Sequence, residues 1–202
     1  MLTIMSRTAS YDRDAALDAA MTLFWVKGFN ATSLKDLEDA LQMRPGSIYA
    51  AFKNKETLFR AALDRYAERT ADDLRTLIDT AASPLAALQS HLRGLAQLDP
   101  CDKPSTACML VKTLLEIPRG NDLRDVVTTH LDQIEGILSD ALHRARALGE
   151  LPQTCDPDRL AHRVQTYIFG LKIQAQRETD AESMRTLCAD LADEIGGLRQ
   201  TT

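Results

Sequence analysis

Apolar residues recur every three to four positions through most of the chain, and no stretch alternates at period two for long enough to build a sheet. That pattern confines the fold to helices packed on helices. Ala and Leu supply most of the apolar content, aromatics are only 5%, and Ala and Leu favour helix over strand. With 202 residues, 45% hydrophobic and 26% charged, the chain has the length of one large or two small domains and can bury a core.

Punctuation sets the predicted elements. A helix over 12–28 carries Ala16, Ala19, Ala20, Leu23 and Phe24 at helical spacing and stops at Gly28. Ser33 then caps a short helix Leu34–Leu41, with Asp36 three residues on as a weak capping box. A third helix starts at Pro45, where the missing N–H costs nothing. Asn54 caps a helix running to about 81, and further helices are predicted over 84–98, 104–117, 121–147, 156–178 and 181–198. There is no internal repeat and no low-complexity linker.

Charge is unevenly placed. Residues 1–66 hold nine Lys/Arg and eight Asp/Glu, whereas 67–202 hold fifteen and twenty-one. Within 44–60, Arg44, Lys53, Lys55 and Arg60 face Glu56 alone, which fits local contact with a polyanion or an ordinary mixed surface. No uncharged apolar run approaches the length of a membrane span, and Met1–Arg7 shows no secretory signal, so a cytoplasmic protein without membrane contact is expected. The cysteines Cys101, Cys108, Cys155 and Cys188 lack zinc or disulfide-framework spacing. No G-x-S-x-G, P-loop, H-E-x-x-H or dinucleotide turn occurs, and His91, His130, His143 and His162 have no metal-type spacing. Neither an enzyme nor a metal or cofactor is expected.

The sharpest pattern is 33–52: two short helices joined by a turn near Leu41–Arg44, preceded by a longer helix, which reads as a helix-turn-helix. The second short helix presents Arg44, Pro45, Gly46, Ser47 and Tyr49 near its start, while Ile48 and Phe52 face inward. Free N–H groups at a helix start suit phosphate. Gly46 serves either close approach to DNA or tight helix packing.

The run from Ala31 to Leu58 resembles the DNA-binding domain of the TetR family of bacterial transcription regulators. The matches are Thr32, Ser33, Leu34, Leu37, Met43, Gly46, Ser47, Ile48, Tyr49, Phe52, Asn54, Lys55, Glu56 and Leu58, with Gly28-Phe29 closing the first helix. Gln42 stands at the usual turn Gly, Glu38 at a usual Ala, and Ala50-Ala51 at bulkier positions. The resemblance implies an all-α fold with a helix-turn-helix domain over 10–66 and an effector-binding and dimerisation domain over 67–202. It implies phosphate contacts from Thr32, Ser33, Tyr49 and Lys55, with base edges faced by Arg44, Ser47, Pro45 and Ala50. Arg44 suits a bidentate guanine contact or a phosphate. Lys53 is a further phosphate contact or a solvated lysine, and Arg7 a minor-groove contact or a loose end.

For the second part the resemblance implies a homodimer through the helices near 156–178 and 181–198, and a pocket for a small-molecule effector. Leu160, Val164, Tyr167, Ile168, Leu171 and Ala175 form one apolar stripe, and Met184, Leu187, Cys188, Leu191 and Ile195 another. These stripes serve the dimer, the subunit's own core, or both. Pocket candidates are Tyr66, His91, Cys108, Met109, Lys112, Glu116, His130 and Tyr167, each equally a candidate core or surface residue. The segment Thr106–Glu116 resembles one in family members that sense electrophiles or oxidants through Cys. Lys112, one turn from Cys108, and a nearby helix start would favour thiolate, whereas a free Cys also packs as a small hydrophobe. A Cys101–Cys108 disulfide is conceivable. The expected function is a ligand-responsive repressor of palindromic double-stranded DNA. The alternatives are a thiol-based sensor repressor using Cys108 and a helical adaptor that binds no DNA.

Overall fold

Most of the helices begin where a side chain supplies an acceptor for the free N–H groups of the first turn. The computed structural model describes residues 12–98, 105–177 and 180–199. Asp12 caps α1 (Arg13–Lys27), and Ser33 with Asp36 forms a complete capping box on α2 (Leu34–Leu41). Asn54 caps α4 (Lys55–Thr80), Ser83 α5 (Pro84–Gly94), Asn121 α7 (Asp122–Ala147), and Asp180 α9 (Ala181–Gly196). Asp156 does the same for α8 (Pro157–Arg177). Two helices lack a cap from their own N-cap side chain: α3 (Pro45–Phe52), preceded by Arg44, and α6 (Met109–Glu116), preceded by Cys108.

The predicted boundaries hold to a few residues except at two points. The helix expected over 84–98 stops at Gly94 and closes with a 3-10 turn over Leu95–Gln97. The helix expected from 104 starts only at Met109. Ser105 and Thr106 are instead buried, with both hydroxyls directed at Gln176 Oε1, and these bonds hold the backbone out of the helix. Pro104, Cys101 and Arg7 lie outside the described residues, as does the conceivable Cys101–Cys108 pairing; Cys108, Cys155 and Cys188 are free thiols.

Among the described residues there is no strand. α1, α2 and α3 form a small group seated on the first half of α4; α5 packs on α9, α7 on α8, and α4 also on α7. One apolar cluster runs without interruption from Ala16 in α1 to Ile195 in α9. α4 carries it between the two regions through Leu58, Phe59, Ala62, Leu63, Tyr66, Ala67, Leu74 and Ile78. A boundary near residue 66 therefore falls inside a continuous helix with a continuous core.

The stripes on α8 and α9 face this core. Leu160, Val164, Ile168, Leu171, Ala175, Met184, Cys188 and Ile195 are all buried within the subunit. Tyr167 instead binds the two helices together: its hydroxyl accepts from Arg163 and donates to Glu194 Oε1, each at 2.9 Å. Ile173 (52% exposed) and Leu187 (37%) are left on the outer side of the pair.

Candidate nucleic-acid interface and effector cavity

The turn between α2 and α3 is built on a left-handed residue. Gln42 has φ 53° and ψ 38°, and its Nε2 donates back to Asp39 O at 2.5 Å. A side chain here costs about a kcal/mol relative to the Gly that the conformation favours. After it the chain turns into α3, which packs on α2 and α4 with its inner residues Ile48 and Phe52 buried. Arg44, Gly46, Ser47, Tyr49, Ala50 and Lys53 all lie on the exposed side, and Pro45 is half-buried. At the far end, Lys53 (φ 65°, ψ −58°) sits at the centre of a positive-φ γ-turn closed by Asn54 N to Phe52 O at 2.8 Å. This strained turn joins α3 directly to α4.

A Cβ built on Gly46 meets nothing within 4 Å, so no neighbouring helix requires this glycine. Arg44 and Lys53 have no acidic partner among the described residues, whereas Arg60 is held by Glu56 at 2.9 Å and Lys35 by Asp39 at 2.8 Å. Lys55 is half-buried with Nζ 4.5 Å from the centroid of Phe29. Desolvation pushes its ammonium pKa down, against the carboxylates of Asp36 and Glu116. Ser33 Oγ is engaged in its capping box. Thr32 corrects the sequence reading: it is 2% exposed and its hydroxyl donates to Gly28 O at 2.6 Å, bracing the α1–α2 turn from inside and leaving no hydroxyl for a phosphate.

A cavity of about 500 Å³ lies between α1, α4, α5, α7 and α8, within the range of small-molecule sites. Of the pocket candidates read from the sequence, Tyr66, His91 and Cys108 line it. The Tyr66 hydroxyl faces the start of α6, close to the Cys108 thiol and the Met109 N–H. Burial, chiefly, pushes its phenol pKa up. Desolvation first, and then the Lys172 ammonium, hold His91 down to about 4, so its imidazole is neutral near pH 7.

The other pocket candidates lie elsewhere. Met109 is core. His130 bonds Asp64 at 2.8 Å on the surface of the α4–α7 pair, and Tyr167 joins α8 to α9. Lys112 and Glu116 turn away from the cavity to clamp the end of α1. Lys112 Nζ donates to Trp25 O at 2.5 Å and Val26 O at 3.1 Å, a cation on the last carbonyls of a helix. Glu116 Oε2 accepts from Phe29 N at 3.1 Å. Its carboxylate lies so close to Gly28 (φ 82°) that a Cβ there would fall 2.1 Å from Oε1. Trp25 Nε1 completes the set with a 2.6 Å bond to Ala107 O. Lys112 is therefore committed to α1, and the polar neighbour of the Cys108 thiol is Tyr66.

Sequence reasoning missed Trp25, Met21, Gln165, Phe169 and Lys172 in the cavity wall. Trp25 and Met21 belong to the helix-turn-helix region, so α1 contributes to the cavity wall as well as to that region. The available signal was that Trp25 is the chain's single tryptophan, on a helix whose other large residues serve the core.

Comparison with known proteins matches this architecture. Residues 16–62 match the profile of bacterial regulatory proteins, tetR family, and residues 84–191 that of the tetracyclin repressor-like C-terminal domain. The HTH-type transcriptional repressor ComR of Escherichia coli K12 is 34% identical over 180 residues, spanning 88% of this chain and 86% of that protein. The repressor BdcR of the same organism is 27% identical over 195 residues, 94% and 90% of the two chains. The TetR family regulator CifR, solved as a cysteine mutant with a 26bp double-strand operator, superposes with a TM-score of 0.82 at 29% identity, covering 96% of this chain and 100% of that one. With both domain profiles matched in chain order and a repressor one-third identical over most of both lengths, the chain belongs to the TetR family of bacterial transcription regulators.

Proposed function

We propose that the chain acts in the cytoplasm as a homodimeric repressor of palindromic double-stranded DNA, released when a small molecule occupies the cavity. Residues 10–66 form the reading head and 67–202 the effector and dimerisation region, with α4 shared. CifR on its operator and the repressors ComR and BdcR support the DNA role. The exposed Ile173 and Leu187 support pairing through α8 and α9, with the buried stripes left to the core. Ser33, Arg44, Pro45, Gly46, Ser47, Tyr49, Lys53 and Lys55 are assigned to the duplex: Arg44 and Ser47 to base edges, Tyr49, Lys53 and Lys55 to phosphates.

The observation that carries ligand control is the continuity between cavity and reading head. Trp25 and Cys108 share the cavity wall at the start of α6, and α6 grips the end of α1 through Lys112 and Glu116. A ligand that displaces Trp25 shifts α1, and with it α2 and α3. It must bind the DNA-incompetent arrangement more tightly, since equal affinity shifts nothing. The test is a binding titration against duplexes from the DNA flanking the coding region, at low and high salt. A salt-sensitive complex of one dimer per inverted repeat is expected. A monomer at micromolar concentration with no complex on any such duplex refutes the reading.

The alternative is thiol sensing through Cys108, a free and buried thiol on the cavity wall. If release by a maleimide survives Cys108→Ser unchanged, covalent sensing through this residue is excluded.

A further inference from the structure

Most of the cavity wall is apolar, formed by residues such as Met21, Leu74, Leu77, Ile134, Ile168 and Phe169. One cation stands against it. Lys172 of α8 is half-buried in the wall and makes no ion pair among the described residues. His91 of α5 lies near enough to feel its charge and makes no hydrogen bond among the described residues. It is a neutral imidazole with an N–H to give. The other charged groups of the lining are Arg69 and Asp73 on α4. Arg69 is held by Asp18 at 2.7 Å, and Asp73 is exposed to solvent, so neither offers its charge to the interior.

An apolar chamber whose wall holds, among the described residues, an unpaired ammonium beside a neutral imidazole N–H selects its ligand by charge. A cationic head would be placed beside Lys172, a like charge in partly desolvated surroundings. A neutral ligand would leave Lys172 as it stands, half-buried and without an ion-pair partner among the described residues. A dianion would bring a second negative charge with no cation to meet it. We propose that the effector is an apolar monocarboxylate, its hydrocarbon body against Leu74, Leu77, Ile134 and Phe169 and its head between Lys172 and His91. The proposal rests on the reading that this cavity is the effector site.

Trp25 is the only tryptophan in the chain and lines the cavity, so its emission reports occupancy. The full-length protein is titrated with decanoate, 1-decanol and decylamine below their micelle concentrations, following Trp25 emission, with operator release measured in parallel. Decanoate is expected to bind at least ten-fold more tightly than decanol, and decylamine more weakly than decanol. Lys172→Met and Lys172→Gln should bring decanoate down to the decanol value while leaving decanol within two-fold, and Lys172→Arg should restore the preference. Equal binding of decanol or decylamine by the native protein overturns the proposal. So does a carboxylate preference that survives both Lys172→Met and Lys172→Gln, or the absence of any Trp25 response to the three probes. Decanoate binding without operator release refutes the regulatory reading and leaves the carboxylate specificity standing. Operator release by all three probes alike, unchanged in Lys172→Met, refutes the specificity and leaves regulation standing.

Discussion

Gly46 has open space where a side chain would be and no positive φ, so the fold alone does not ask for glycine. Gly46→Ala should stabilise the free protein by up to ~0.5–1 kcal/mol, the helix-propensity difference. It should also weaken operator binding at least ten-fold if, as proposed, the duplex backbone approaches α3 at Gly46, where the methyl would stand. Thermal melts and operator titrations on the same preparation read the two signs; a stabilised variant with native affinity would remove Gly46 from the interface. Arg44 and Lys53 are both exposed and unpaired among the described residues, yet they differ in the information they carry. Arg44→Ala should relax preference at one base position by ~1–3 kcal/mol, the value of a bidentate guanine contact. Lys53→Ala should instead weaken all sequences alike and make the salt slope shallower by about one unit. A sequence preference altered by Lys53→Ala at an unchanged salt slope would reverse that assignment.

Among the elements, α6 has the most consequence for its size. Its N-cap Cys108 stands in the cavity wall, while Lys112 and Glu116 farther along the helix hold the end of α1. Lys112→Met removes the cation from Trp25 O and Val26 O, and Glu116→Ala leaves Phe29 N–H without its acceptor. Each should cost ~1–3 kcal/mol of stability. More tellingly, each should leave effector and operator affinities measured separately near native while reducing the factor by which one ligand weakens the other. Full coupling in both variants would place the signal path elsewhere. The sequence announced helix starts well because caps and prolines are local chemistry: Ser33, Asn54, Ser83 and Asn121 bond to residues two or three positions on. The helix-turn-helix was legible for the same reason. The direction in which α6 aims its polar groups was not. Lys112 and Glu116 have the residue types of pocket ligands, and only the packing of α6 on α1, more than eighty positions away in sequence, turns them outward from the cavity. Lys172 escaped notice because one lysine on an amphipathic helix looks solvated until α5 places His91 beside it.

At the scale of the molecule, a single core runs from α1 to α9, so ligand, proton and DNA all act on one body. The proton enters at His91. Its folded pKa of about 4 lies below the 6.5 of a free imidazole, so the unfolded chain binds the proton first. The stability that comes from keeping the ring neutral is complete above pH 6.5 and is lost as pH falls through 6.5 toward 4, a total of up to ~3 kcal/mol. His91→Leu should therefore flatten the fall in melting temperature between pH 7 and 5; an unchanged fall would show that other groups dominate. The DNA and the effector obey the same linkage. If effector binding lowers operator affinity by some factor, operator binding must lower effector affinity by that same factor, since both paths close one thermodynamic cycle. A coupling of ~1–3 kcal/mol corresponds to a factor of about 5–150. In a two-fold dimer the change has a geometric form: tilting α1 and α4 alters the separation of the two α3 helices, which must lie ~34–36 Å apart, or a multiple of that, to meet successive major grooves. Titrating decanoate into the preformed operator complex and into the free dimer, with Trp25 emission as the readout in both, measures the effector side of the cycle. Operator titrations with and without saturating decanoate measure the other side. The two factors should agree within error. If operator DNA leaves the decanoate affinity read at Trp25 unchanged while decanoate still dissociates the complex, release comes from decanoate bound at a second site, such as the reading head, and control from the cavity fails.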